Sequence, residues 1–150
     1  MPSSARAIVW GGLACGTLDI TAAFIVYGAF GTAPVVLLQF IASGALGVRS
    51  FDGGAATALL GLAFEYVIAF GAATAYVLAG RAFPVLVRSA VVCGVLYGIF
   101  VYWFMNLVVV RLSAAPKQPF SLKLTAVGIA IHIVCVGLPI ALAARHFARA

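Results

Sequence analysis

Polar positions are so sparse along this chain that their spacing divides it. Apolar runs cover residues 7–30, 55–80, 90–110 and 122–144, separated by short polar stretches. Each run reaches the roughly 20 helical residues that cross a bilayer core, so the pattern predicts four transmembrane helices. A fifth apolar run, 35–46, follows Pro34, which suits the first turn of a helix. It is too short to span comfortably and predicts an interfacial or re-entrant helix with Gln39 and Ser43 on one polar edge. The expected fold is therefore all-α: one domain, 1–150, built as a membrane bundle of four transmembrane helices with a short extra helix after the first.

Small residues mark the faces on which these helices are expected to meet, because close approach in lipid needs short side chains. Gly12 and Gly16 form a GxxxG pair in the first span, and Gly94 and Gly98 form another in the third. At helical spacing Gly12, Gly16, Asp19 and Ala23 share a face. So do Ala58, Gly61, Glu65, Ala69, Ala72 and Tyr76, and so do Thr125, Gly128, His132, Cys135 and Pro139. Between the spans, 49–54 and 81–89 are predicted as loops. Asp52 is placed as the cap of the second span and Ser121 as the cap of the fourth. Thr17, Thr21 and Thr125 are expected to bond within their own helices.

Composition agrees with a membrane setting. The chain is 65% hydrophobic and 8% charged, with mean hydropathy +1.22, where soluble domains carry about 25% charged residues. A chain of 150 residues has too much surface to hide that apolar content from water. Cys15, Cys93 and Cys135 fall inside apolar runs with no CxxC spacing and read as packing residues. Leu13-Ala14-Cys15 resembles a lipoprotein cleavage site, but the apolar run continues past it, and we expect an uncleaved first span.

The net charge of +6 reflects Lys and Arg at helix ends. Four spans would place Arg6, Arg81, Arg88, Arg145 and Arg149 on one side, and Arg49, Arg111, Lys117 and Lys123 on the other. The excess favours both termini in the cytoplasm. No basic cluster interleaved with aromatics suggests a nucleic-acid partner.

The chemistry-bearing positions are few. Of three acidic residues, Asp19 and Glu65 stand near the middle of spans, and His132 stands near the middle of another. An ionised carboxylate in a low-dielectric core costs several kcal/mol, so it takes up a proton or finds a partner. The expected site brings Asp19, Glu65 and His132 together inside the bundle, at least one carboxyl being neutral or sharing a proton with His132, with Asn106 and Tyr102 nearby. The same residues could instead clamp helices together: Asn106 as an interhelical hydrogen bonder, Tyr102 and Trp103 as packing or interface anchors. No HExxH, GxSxG or phosphate-loop motif is present, and neither a metal nor another cofactor is expected.

GTLDITAA around Asp19, LLQFIASGALG (37–47), FDGG (51–54), VYWFMNLVVVRLSAAP (101–116) and HIVCVGLPIAL (132–142) together cover most of the chain. In these blocks and their order the chain resembles a set of short bacterial four-span inner-membrane proteins, distantly similar to the YagU-like family. The resemblance implies a multi-pass protein of the bacterial inner membrane and no particular chemistry. The leading expectation is a structural or accessory membrane component whose partners are the bilayer, a second copy or another membrane protein. A small proton-coupled carrier using Asp19, Glu65 and His132, and a membrane enzyme acting on a lipid-like substrate, are the alternatives.

Overall fold

The computed structural model describes residues 3–148, so Arg149 lies outside the described residues. Within them the chain is helical. Helix α1 is Ser3–Ala29, α2 Pro34–Leu46, α3 Gly54–Ala82, α4 Val85–Arg88, α5 Ala90–Phe104, α6 Val110–Leu112, α7 Leu122–Ile131 and α8 Leu138–Ala148. A 3-10 turn, Gly47–Asp52, follows α2. Wide π turns, Met105–Val109 and His132–Gly137, join α5 to α6 and α7 to α8.

By length and composition five segments can cross a membrane, where the sequence pattern predicts four: Ser3–Ala29, Pro34–Asp52, Gly54–Ala82, Ala90–Leu112 and Leu122–Ala148. The additional one is composite. The 13 residues of α2 end at Gly47, whose φ of 62° takes the chain out of the helical direction before the 3-10 turn. Two further boundaries differ from the expected loops. Residues 47–52 are ordered as that 3-10 turn, and α4 occupies part of 81–89. Asp52 is not a cap: Gly53 holds the cap position of α3 and no side chain bonds there. Ser121 does cap α7, its hydroxyl accepting from Leu124 N at 3.4 Å, and Pro34 occupies the first turn of α2.

The long helices alternate in direction. Gly12 of α1 faces Phe70 of α3, and Gly16 faces Tyr66 and Ala69, so those helices are antiparallel. Tyr97 of α5 donates to Ala72 O of α3 at 2.8 Å. Gly94 faces Gly137 and Ala141, Gly98 faces His132, and Tyr102 faces Gly128, which makes α5 antiparallel to α7 and α8. Gly11 meets Ile140 and Ala143, closing α8 against α1. The start of α1, the end of α3, the start of α5 and the end of α8 therefore share one end, here the terminal end. Helix α2 packs on the first half of α3 at the opposite, far end: Gly61 faces the Leu38 carbonyl, and Gln39 Nε2 donates to Gly54 O at 3.1 Å.

Packing is uneven along the bundle. The main core is made by Ala7, Cys15, Ala69, Ala73, Tyr76, Val77, Ala90, Val101, Val136, Ile140, Ala141 and Ala144, nearly all of it toward the terminal end. Toward the far end α1 buries nothing after Ile20, α7 buries only Gly128, and residues 105–112 bury nothing. Also buried there are Gln39, Ala42, Ser43, Ser50, Ala58 and Gly61, which seat α2 and the 3-10 turn on α3. Outward, Ile25, Leu59, Val67, Val92 and Leu96 are each at least 60% exposed. Such a surface fits hydrocarbon and not water.

Candidate functional site

The two mid-span carboxyl groups meet because two glycines let α1 and α3 touch. A Cβ on Gly16 would lie 2.8 Å from the Tyr66 ring and 3.3 Å from Ala69 Cβ, and one on Gly12 would strike the Phe70 ring. With the helices that close and antiparallel, moving on from Gly16 along α1 moves back from Tyr66 along α3. Thr17 Oγ1 lies 2.9 Å from Tyr66 OH. Just beyond it, the Asp19 and Glu65 side chains are near enough for their charges to interact. Thr21 donates to Thr17 O at 2.6 Å, within its own helix, whereas Thr17 reaches across to α3.

The pair has an unusual setting. Asp19 Oδ1 is buried and has no hydrogen-bond partner, although buried polar atoms are nearly always satisfied. Cys15 and Cys135 are buried close enough to feel the Asp19 charge. Tyr27 is near both Asp19 and Tyr102. No cationic side chain is bonded to either carboxyl group among the described residues. Two negative charges in contact in a low-dielectric interior repel strongly, and one proton held between them removes that repulsion and gives the pair an internal hydrogen bond. Such a pair can take up and release a proton or bind a small cation.

The pair also sits at a boundary. Most of the main core lies on the terminal side of Cys15, Ala69 and Val136, only Val101 reaching farther, and Asp19 and Glu65 come next along their helices. Beyond them, α1 and the α5–α7 side are loosely joined, and Lys123 Nζ lies 5.0 Å from the centre of the Phe30 ring where α7 begins and α1 ends.

The remaining candidates are placed otherwise. His132 Nδ1 is 2.9 Å from Gly128 O, and its ring packs edge-on to Tyr102 with centroids 5.3 Å apart. It joins neither carboxyl group, and the expected three-residue cluster is a two-residue one. Asn106 is exposed and donates to Tyr102 O of its own helix at 2.9 Å, serving a carbonyl beside the π turn instead of a neighbouring helix. Tyr102 packs on His132, Trp103 and Gly128. Gly61, Gly94, Gly98 and Gly128 all lie in helix contacts. Among the described residues no three His, Cys, Asp or Glu side chains group to hold a metal ion. Sequence reasoning missed the Thr17–Tyr66 bond. The signal for it was present: a hydroxyl two residues before Asp19 and another one residue after Glu65. Comparison with protein-family models, with curated proteins and with solved structures gave no match.

Proposed function

We propose that this chain is a small proton-coupled membrane carrier in which Asp19 and Glu65 form the site that binds and releases the coupling proton. The observation that carries this reading is the neighbourhood of two carboxyl groups inside the bundle, with Asp19 Oδ1 buried and unpartnered. A purely structural clamp would satisfy its polar atoms, since an unpaired buried group costs about 1–3 kcal/mol. His132 has no part in the relay.

The arrangement also supports four spans. A complete crossing by Pro34–Asp52 would leave α1 and α3 parallel, and they are antiparallel. We therefore read α2 and its 3-10 turn as re-entering from the far end. Counted over the sequence, Arg6, Arg81, Arg88, Arg145 and Arg149 fall to the side of the termini against Arg49, Arg111, Lys117 and Lys123 on the other, an excess of one that favours the cytoplasm for the termini, and the YagU-like resemblance favours the bacterial inner membrane.

A structural or accessory component is the second reading. It is favoured by the backbone contact of Gly94 and Gly98 with Gly137, which fixes α5 against α7–α8. Proton flux into liposomes, followed with a trapped pH dye, together with difference infrared spectra of the wild type, Asp19→Asn and Glu65→Gln, separates the two. The carrier reading expects flux and a carboxyl band that moves near neutral pH, both lost in either variant while the helical circular dichroism is kept. Flux absent from the wild type, or unaffected in both variants, leaves the accessory reading in possession.

A further inference from the structure

One segment is set apart by its backbone. Among the described residues positive φ occurs at Gly31 (84°), Gly47 (62°) and Gly54 (57°) and nowhere else. The first precedes α2, the second joins α2 to the 3-10 turn, and the third opens α3. Glycine takes up positive and negative φ about equally readily. Pro34–Asp52 is therefore joined to the bundle through a glycine at each end and bends at a third. The buried polar side chains of the described residues belong to the same segment: Gln39, Ser43 and Ser50. The main core holds apolar and ring side chains instead.

The seat of this segment on α3 turns on one side chain. Thr57 Oγ1 donates to Ser50 O of the 3-10 turn at 2.6 Å and accepts from Gln39 Nε2 of α2 at 3.4 Å. It thus holds both parts of the segment at once. Beside it the main chains touch: a Cβ on Gly61 would strike the Leu38 carbonyl oxygen and lie 2.7 Å from the carbonyl carbon. Ala58 and Gly61 share the face of α3 that carries Glu65, and Glu65 is the next turn toward the terminal end. Helix α2 therefore covers the far-end stretch of the face on which Glu65 stands. Hydrogen bonds such as those of Thr57 contribute little net free energy where water can replace them, and joints of a few terminal residues are what a hinged closure uses.

We propose that Pro34–Asp52 is a gate: seated on Thr57 and Gly61 it closes the far-end approach to Glu65, and it swings off α3 about Gly31 and Gly54 to open that approach, an inference that rests on the reading of Asp19 and Glu65 as a proton site. The gate supplies, at one end of the bundle, the change of exposure that a carrier needs.

Glu65→Cys, with the native cysteines replaced, reports access through its rate of reaction with a small water-soluble thiol reagent in vesicles. Asp52→Cys, at an exposed position of the 3-10 turn, identifies the side that reaches the far end. Thr57→Val keeps the shape of the side chain and removes its bonds. Reagent added from the Asp52 side labels position 65 about tenfold faster in Thr57→Val, because loss of the hydrogen bonds raises the open population by about that factor. Thr57→Ser restores the slow rate. Gly61→Ala, which presses α2 off its seat, gives the same rise should Thr57→Val not fold, and Gly71→Ala, whose Cβ meets nothing within 4 Å, gives none. Amide hydrogen exchange quickens by one common factor across α2 and the 3-10 turn while α5 is unchanged. Labelling that is unchanged in both Thr57→Val and Gly61→Ala overturns the proposal. So does a rise that is equal from the two sides, which is a loosening of the whole bundle, and so does exchange that quickens in α2 alone. Proton flux enters none of these readouts, so the gate and the carrier reading fail separately.

Discussion

Replacing Gly137 by alanine puts a methyl group between two helix backbones that have no room for it. The new Cβ would strike the Gly94 carbonyl oxygen and lie 2.6 Å from Gly98 N and 2.9 Å from Gly98 Cα. All three are main-chain atoms, so no rotamer change relieves the contact. Ordinary contact begins near 3.4 Å, so α5 must withdraw from the π turn by at least 0.8 Å. In lipid, helices are held mainly by dispersion and not by exclusion of water. A gap of that size forfeits roughly a quarter to a half of each contact's attraction. Overpacking of this kind costs about 1–3 kcal/mol, occasionally more. Gly71→Ala is the matched control, since a Cβ there meets nothing within 4 Å, and helix propensity predicts a gain of up to about 1 kcal/mol. Reversible unfolding in mixed micelles, followed by circular dichroism, measures both. Gly137→Ala as stable as Gly71→Ala would show that α5 and the π turn are not in backbone contact.

Other changes test separate parts of the structure. Tyr76→Phe removes the bond to Leu86 O from a side chain only 2% exposed; it should cost about 1–2 kcal/mol in the same unfolding assay. Gln39→Leu removes the bond that ties α2 to Gly54 O; amide hydrogen exchange across α2 should quicken about tenfold while α5 is unchanged. Ser121→Ala should cost about 0.5–1 kcal/mol by removing the cap of α7, whereas Asp52→Ala should stay within about 0.5 kcal/mol because Asp52 makes no cap bond. Lys123→Gln removes the cation over the Phe30 ring; a cysteine placed at Thr21, with the native cysteines replaced, should then react faster with a water-soluble thiol reagent.

Much of the architecture is legible in the residues themselves. Long apolar runs bounded by Pro and charged residues locate the long helices, and a carboxyl group among glycines and alanines marks a face that must meet another helix. That reasoning places Asp19 and Glu65 on facing sides, because each lies on one uninterrupted helix. It fails for His132 for a definite reason. His132 does share a face with Gly128, as the spacing requires, but that face packs on Tyr102 of α5 and not on the α1–α3 contact. Which neighbour a small-residue face meets is not written in its period, and the π turn that follows, His132–Gly137, shifts the residues after it off the 3.6-residue alignment. The composite segment Pro34–Asp52 escapes the pattern similarly. Its division depends on a positive φ at Gly47, which a sequence with 16 glycines does not single out.

The depth of the carboxyl pair gives the bilayer's electrical field a hold on it. Asp19 and Glu65 lie near the middle of helices of 27 and 29 residues, so any charge that moved between one membrane surface and the pair would cross about half of the membrane potential. At about 2.3 kcal/mol per elementary charge per 100 mV across the whole membrane, that is about 1 kcal/mol, or a factor of about five in occupancy. A site at either surface would be indifferent to voltage. If the pair exchanges a proton as proposed, energising the membrane would shift its loading with no change in the pH of either compartment.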